Sequence, residues 1–98
     1  MIFYVSYSYN DKTDIEKAKK IVRELQVNDL ENCYICPLLI FSNIGYQEID
    51  YEERMNLHLD LLSFCDRLIV ASNVNETTQR EIAFAELVEM EVEYLENS

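Results

Sequence analysis

Apolar residues along this chain fall into two alternating rhythms. Ile2-Phe-Tyr-Val-Ser-Tyr7 is β-branched and aromatic and predicts a strand at 2–7. Asn10-Asp-Lys12 supplies a turn, and Thr13-Asp-Ile-Glu16 has the hydroxyl-to-carboxylate spacing of a capping box. Ile15, Ala18, Ile21, Val22 and Leu25 then recur at three- and four-residue steps, which predicts an amphipathic helix to about residue 26. Cys33-Tyr-Ile-Cys36 predicts a second strand, closed by Pro37. Residues 38–50 contain the only glycine, Gly45, within Phe41-Ser-Asn-Ile-Gly-Tyr46, and predict a long loop. Asp50 can cap a helix running to about residue 65, with Met55, Leu59, Leu62 and Cys65 as its inner stripe. Residues 67–71 predict a third strand. Residues 77–94 predict a third helix with Ile82, Ala85, Val88, Val92 and Leu95 inside.

Strands alternating with helices imply βαβ crossovers. The expected fold is therefore α/β: one domain over residues 1–98, a small Rossmann-like or flavodoxin-like parallel sheet of three to four strands, with helices on both faces. So small a sheet leaves an edge or an apolar face to cover, so a homo-oligomer, dimer or higher, is expected.

Charge narrows the partners. Nineteen acids against eight bases give a net charge of −11, which argues against nucleic-acid polymers and anionic membrane surfaces. A single nucleotide is compatible, because one or two arginines and a helix N-terminus can hold a phosphate. No segment approaches the ~20 apolar residues of a membrane span. The apolar start, Met1-Ile-Phe-Tyr-Val5, is short and lacks a basic lead. Three cysteines, an odd number, suit a reducing cytoplasm.

The chain lacks a glycine-rich phosphate loop, a zinc-binding H-E-x-x-H and a nucleophile elbow. Cys33 and Cys36 match C-x-x-C, but an odd separation on a strand points them to opposite faces, so neither a metal site nor a cofactor is expected. His58, the single histidine, reads as a packed or surface residue of its helix unless the face it shares with Met55 and Leu62 borders a pocket. In a parallel sheet the strands' C-terminal ends share one edge, where open α/β sheets put ligands. That edge should receive Ser6, Tyr7, Ser8 and Tyr9, the 38–50 loop, and residues 72–81. Hydroxyls and aromatic rings suit a sugar and a flat base, and a carboxylate near a sugar is the usual tool for glycosidic bonds. Glu81 supplies that carboxylate, yet Thr78-x-x-Glu81 equally fits a capping box. Asp60 equally fits a solvated helix carboxylate, and residues 86–96 a solvated acidic helix face.

Taken together, Tyr4-Val-Ser-x-x-Tyr9, Cys36-Pro-Leu38, Phe41-Ser-Asn-Ile-Gly-Tyr46, Asp60-Leu-Leu-x-x-Cys-Asp66 and Glu81-Ile-x-Phe-Ala85 resemble a family of small, mostly phage and prophage proteins. That family is related to the nucleoside 2-deoxyribosyltransferases, and the resemblance covers about residues 2–90. It implies that Glu81 is the nucleophile that attacks the sugar's anomeric carbon, with Tyr7 or Tyr9 orienting it and Asp60 serving the base side. Asp66, at the start of the third strand, is expected to be structural. The resemblance also implies a binding surface of Ser6, Tyr9, Phe41, Gly45, Tyr46, Arg54, Asn75, Thr77, Thr78 and Arg80, with the Phe41–Tyr46 segment as lid. Two departures stand at the helix entrance: the family's glycine is Thr77 here, and Glu76 adds a negative charge. The implied function is binding of a nucleoside or nucleotide with cleavage or transfer of its N-glycosidic bond. The alternative is a non-catalytic sponge for a nucleotide-derived signal of bacterial immunity, acting in the host cytoplasm. A third reading is a protein-interaction module whose acidic surface mimics nucleic acid.

Overall fold

The computed structural model describes residues 1–42 and 48–95. In chain order its elements are β1 (Ile2–Ser6), α1 (Thr13–Val27), β2 (Cys33–Ile35), α2 (Pro37–Ile40), α3 (Tyr51–Ser63), β3 (Arg67–Val70), α4 (Glu76–Leu87) and β4 (Glu91–Tyr94). The four strands pair in parallel throughout, in the order β2-β1-β3-β4. The fold is α/β, as the alternation of elements predicts.

Strand periodicity divides the core. Tyr4 of β1 and Leu68 and Val70 of β3 face a cluster completed by Leu62 and Cys65 at the end of α3 and Ala85 of α4. Val5 and Ala71 point to the other face and meet Ala18 of α1 with Cys36 and Leu38. Helices therefore cover both faces of a sheet whose central strand, β1, is buried from Phe3 to Ser6.

Several expected boundaries change. The helix expected over 77–94 ends at Leu87, and Glu91–Tyr94 forms a fourth strand on the outer side of β3. Val92 and Leu95 sit at helical spacing from Val88, but Glu-Val-Glu-Tyr also alternates at the strand period, and pairing with β3 decides for the strand. The acidic tail is thus only partly a helix face. Arg67 secures the new edge: its guanidinium lies 3.0 Å from Glu91 and 3.3 Å from Glu93 and sits over the Phe3 ring. The capping box expected at Thr13 is also replaced. Asp11 accepts from the Thr13 N–H and hydroxyl, while Asp14 accepts from the N–H groups of Asn10 and Asp11. The expected 38–50 loop begins with a short helix, α2, that Pro37 opens. Gly45 and Tyr46 lie outside the described residues. Asp50 caps α3 as expected, accepting from the Glu52 N–H. Asp66 accepts from the Ile2 N–H at 2.7 Å, at the sheet end opposite the candidate site.

The end of α4 has a definite cause. The Met90 N–H bonds to the Ala85 carbonyl (2.8 Å) and the Glu89 N–H to that of Glu86 (3.2 Å), the paired bonds of a Schellman turn. That turn requires a left-handed residue, and Glu89 takes it with φ 59°. Removing the Cβ there should relieve strain, so Glu89→Gly is expected to raise unfolding stability by about 0.5–1 kcal/mol in urea titration. The thiols give a second check. Burial pushes the Cys36 and Cys65 thiols up to about 11, whereas Cys33 is exposed. Cys33 alone should react promptly with a thiol reagent in the folded protein at pH 8, the other two only on unfolding.

Candidate active site

Glu81 occupies a position that the helix pattern reserves for an apolar residue. The inward stripe of α4 is Thr78, Glu81 and Ala85, and Glu81 is only 2% exposed. Its capping role is overturned. Asn75 is the N-cap, accepting from the Thr78 N–H at 2.9 Å and from the Thr78 hydroxyl at 3.0 Å, so Glu81 lies in the helix's second turn. The carboxylate instead reaches the sheet. The Tyr4 hydroxyl donates to Oε2, and the Ser6 hydroxyl donates to Oε1 at 2.6 Å. Tyr4 and Ser6 are two residues apart on β1 and so share the face that α4 covers. His58 of α3, 5% exposed, brings Nδ1 to 3.5 Å from Oε2. Its ring stacks on Phe41, with centroids 5.8 Å apart and planes 15° from parallel.

This cluster forms one wall of a cleft at the C-terminal ends of the strands. Tyr7, Ser8 and Tyr9 arrive from β1, Pro37 from the end of β2, Arg54 and His58 from α3, and Asn75, Thr77, Thr78 and Glu81 from α4 and its cap. The cleft has a cavity volume of about 70 Å³ and opens to solvent. It stands where β1 and β3 send their connections to opposite faces of the sheet, the reversal at which open α/β sheets place ligands. Hydroxyls stitch its rim: Ser8 donates to the Asn73 carbonyl at 2.6 Å and lies 3.3 Å from the Thr78 hydroxyl, while Ser72 accepts from the Ser8 N–H at 2.7 Å.

Of the residues singled out in the sequence, Tyr7, Tyr9, Arg54, Asn75, Thr77, Thr78 and Glu81 line this cleft. Ser6 reaches it through Glu81, and Phe41 through His58. The tyrosine that touches Glu81 is Tyr4, in place of the expected Tyr7 or Tyr9. Those two lie past the last paired residue of β1, whereas Tyr4 points inward from the strand itself. Asp60 is exposed and does not line the cleft. It sits two positions from His58, about 200° around the helix, so burying one turns the other to water. Arg80 also lies off the cleft. Its guanidinium makes paired bonds of 3.0 and 3.2 Å to Glu52 and lies over the Tyr51 ring, and the Glu52 bond raises its affinity for its proton further. Tyr4 and His58 are the two site residues missed. Tyr4-x-Ser6, two hydroxyls on one face of a buried strand, was the available signal for the first. The stripe shared with Met55 and Leu62 was the signal for the second. Among the described residues, no three His, Cys, Asp or Glu side chains gather as metal ligands would.

Hydrogen bonds to a buried charge are worth about 1.5–3 kcal/mol each, so Tyr4→Phe should lower unfolding stability by that order. Ser6→Ala should do the same. In a Glu81→Gln background both costs should shrink, because the charge that makes the bonds strong is gone. Urea denaturation of the double-mutant cycle checks this, and strictly additive losses would refute the coupling.

The chain matches no protein-family model, no curated protein and no solved structure. The chemistry of the cleft therefore rests on its own residues.

Proposed function

We propose that the cleft takes a nucleoside or nucleotide and that Glu81 breaks or transfers its N-glycosidic bond, in a domain of the nucleoside 2-deoxyribosyltransferase type. One observation carries this reading: a carboxylate from the inward stripe of α4, held by two hydroxyls of β1, in the wall of a cleft at the sheet's C-terminal edge. Tyr4 and Ser6 fix the direction of the carboxylate by donating to its two oxygens. A carboxylate so fixed can attack the anomeric carbon or stabilise the positive charge that develops there. Tyr7 and Tyr9 offer flat surfaces for a base, and Ser8, Thr77 and Thr78 offer hydroxyls for a sugar. Arg54 is the permanently cationic side chain among the described lining residues, so a monophosphate is the most highly charged ligand the cleft suits.

A second reading is favoured by a different feature of the same group. Both oxygens of Glu81 already accept hydrogen bonds, and Thr77 lines the cleft where the deoxyribosyltransferases carry a glycine. A carboxylate engaged in this way can accept from a ligand without attacking it. In this reading the chain is a phage-type sponge that sequesters a nucleotide-derived immune signal in the host cytoplasm, as a homo-oligomer.

Incubation with ribo- and deoxyribonucleosides, their 5′-monophosphates and NAD-derived cyclic nucleotides separates the two. The enzyme reading expects release of free base that Glu81→Gln lowers by ~10³-fold or more, the scale of losing a nucleophile. The sponge reading expects tight binding, recovery of the ligand intact and little change with Glu81→Gln. Absence of both binding and release would sink both readings.

A further inference from the structure

A glycosidic bond to a base breaks readily only if the departing nitrogen is protonated or otherwise stabilised. The resemblance assigns that task to Asp60, which is exposed and off the cleft. We propose, on the footing of the glycosidic reading above, that His58 is the proton donor to the leaving base and works as a unit with Glu81.

Three observations support this assignment. His58 lines the cleft at 5% exposure with both ring nitrogens buried, so a ligand seated there packs against the imidazole, and a nitrogen must come into reach as the site fills. Its Nδ1 stands 3.5 Å from Glu81 Oε2, within ion-pair range, with both side chains almost wholly buried. Phe41 stacks on the ring and holds its plane. Charge then gives the pair a direction. An imidazolium beside a carboxylate in a buried site carries a desolvation cost for each ion. The proposed step removes both charges together. One Glu81 oxygen forms a bond to C1′ of the sugar as the C1′–N bond breaks, the electron pair of that bond passing to the base. The base takes the imidazolium proton and leaves neutral, so Glu81 becomes a neutral ester and His58 a neutral imidazole. In the second half, water or another base attacks C1′, His58 takes up the proton released, and Glu81 departs as a carboxylate. Atoms and charges balance over the cycle.

Titratable and charged groups that share the cleft or Glu81 with His58 include Glu81 itself from α4, Tyr4 from β1, Tyr7 and Tyr9 beyond it, Arg54 from its own helix, and Cys36 ahead of α2. Burial pushes the Cys36 thiol up to about 11, so it stays neutral through the working range.

The test varies the leaving group. Nucleosides and their 5′-monophosphates need a proton at the departing nitrogen, whereas 4-nitrophenyl ribosides and 2-deoxyribosides release nitrophenolate without one. His58→Asn and His58→Gln should slow base release ~10²–10⁴-fold and leave nitrophenolate release nearly unchanged, the mark of a lost general acid. With the unaltered protein, base release should slow in D2O, because a proton moves in that step, while nitrophenolate release should not. That arm holds even if both variants fail to fold. Equal losses on both substrate types would make His58 a packing or positioning residue and overturn the proposal, as would variants that release base at the original rate. If the unaltered protein releases base and loses that activity in Glu81→Gln but not in the His58 variants, the glycosidic reading stands and the role of His58 falls. An unaltered protein inactive on both substrate types would overturn the two together.

Discussion

The burial of one carboxylate constrains much of this molecule. Removing a charge from water costs several kcal/mol, and a helix stripe that packs on a sheet would be better served by leucine. Glu81 is tolerated because Tyr4 and Ser6 donate to its two oxygens and His58 stands beside it. Each of those partners depends on the fold. The two hydroxyls share a face only on an extended strand, and that face meets α4 only because β1 is central and its other side is covered by α1. The open cleft beside this buried group is what the proposed function builds on.

The polar residues at the C-terminal edge divide into those that join the loops to one another and those that line the cleft wall. Ser8, Ser72, Asn73 and Asn75 are spent on one another and on backbone groups, which sets the β1 and β3 loops against the start of α4. Tyr7, Tyr9, Thr77 and Arg54 line the wall, with Arg54 over the Tyr51 ring and Thr77 3.4 Å from the Tyr51 hydroxyl. Arg80, one turn from the cap, would have given the cleft a second cation, but Glu52 and Tyr51 draw it onto the surface of α3. The result is a small, hydroxyl-rich cleft in which Arg54 and Glu81 supply one guanidinium and one carboxyl group among the described lining residues.

How much was legible from the sequence depends on the range of the interaction. Helical and strand periods are local, so the helices beginning at Thr13 and Tyr51 and the three strands that open on Ile2, Cys33 and Arg67 could be read directly. β4 could not be placed with the same security. Val88, Val92 and Leu95 satisfy a helical stripe while Glu91 to Tyr94 satisfy a strand, and both patterns are local. The choice came from the left-handed turn at Glu89 and the free side of β3. The two readings of Glu81 failed to separate for a similar reason. A capping box and a buried carboxylate share the same spacing, and only the position of Asn75 at the helix start distinguishes them.

The sequence by itself determined the α/β class, the parallel sense of the sheet, the edge on which a site could form and the presence of Glu81 at that edge. These follow from periodicity and from the geometry of βα crossovers, which each segment carries within itself. The tertiary structure decided which groups meet the carboxylate: Tyr4 in place of Tyr7 or Tyr9, with His58 beside it, while Asp60, expected on the base side, faces water. It also took Arg80 away from the cleft. Such choices depend on how α3 and α4 rotate about their own axes as they pack on β1 and β3. That rotation is fixed by the summed burial of many side chains far apart in the chain, and no single segment encodes it.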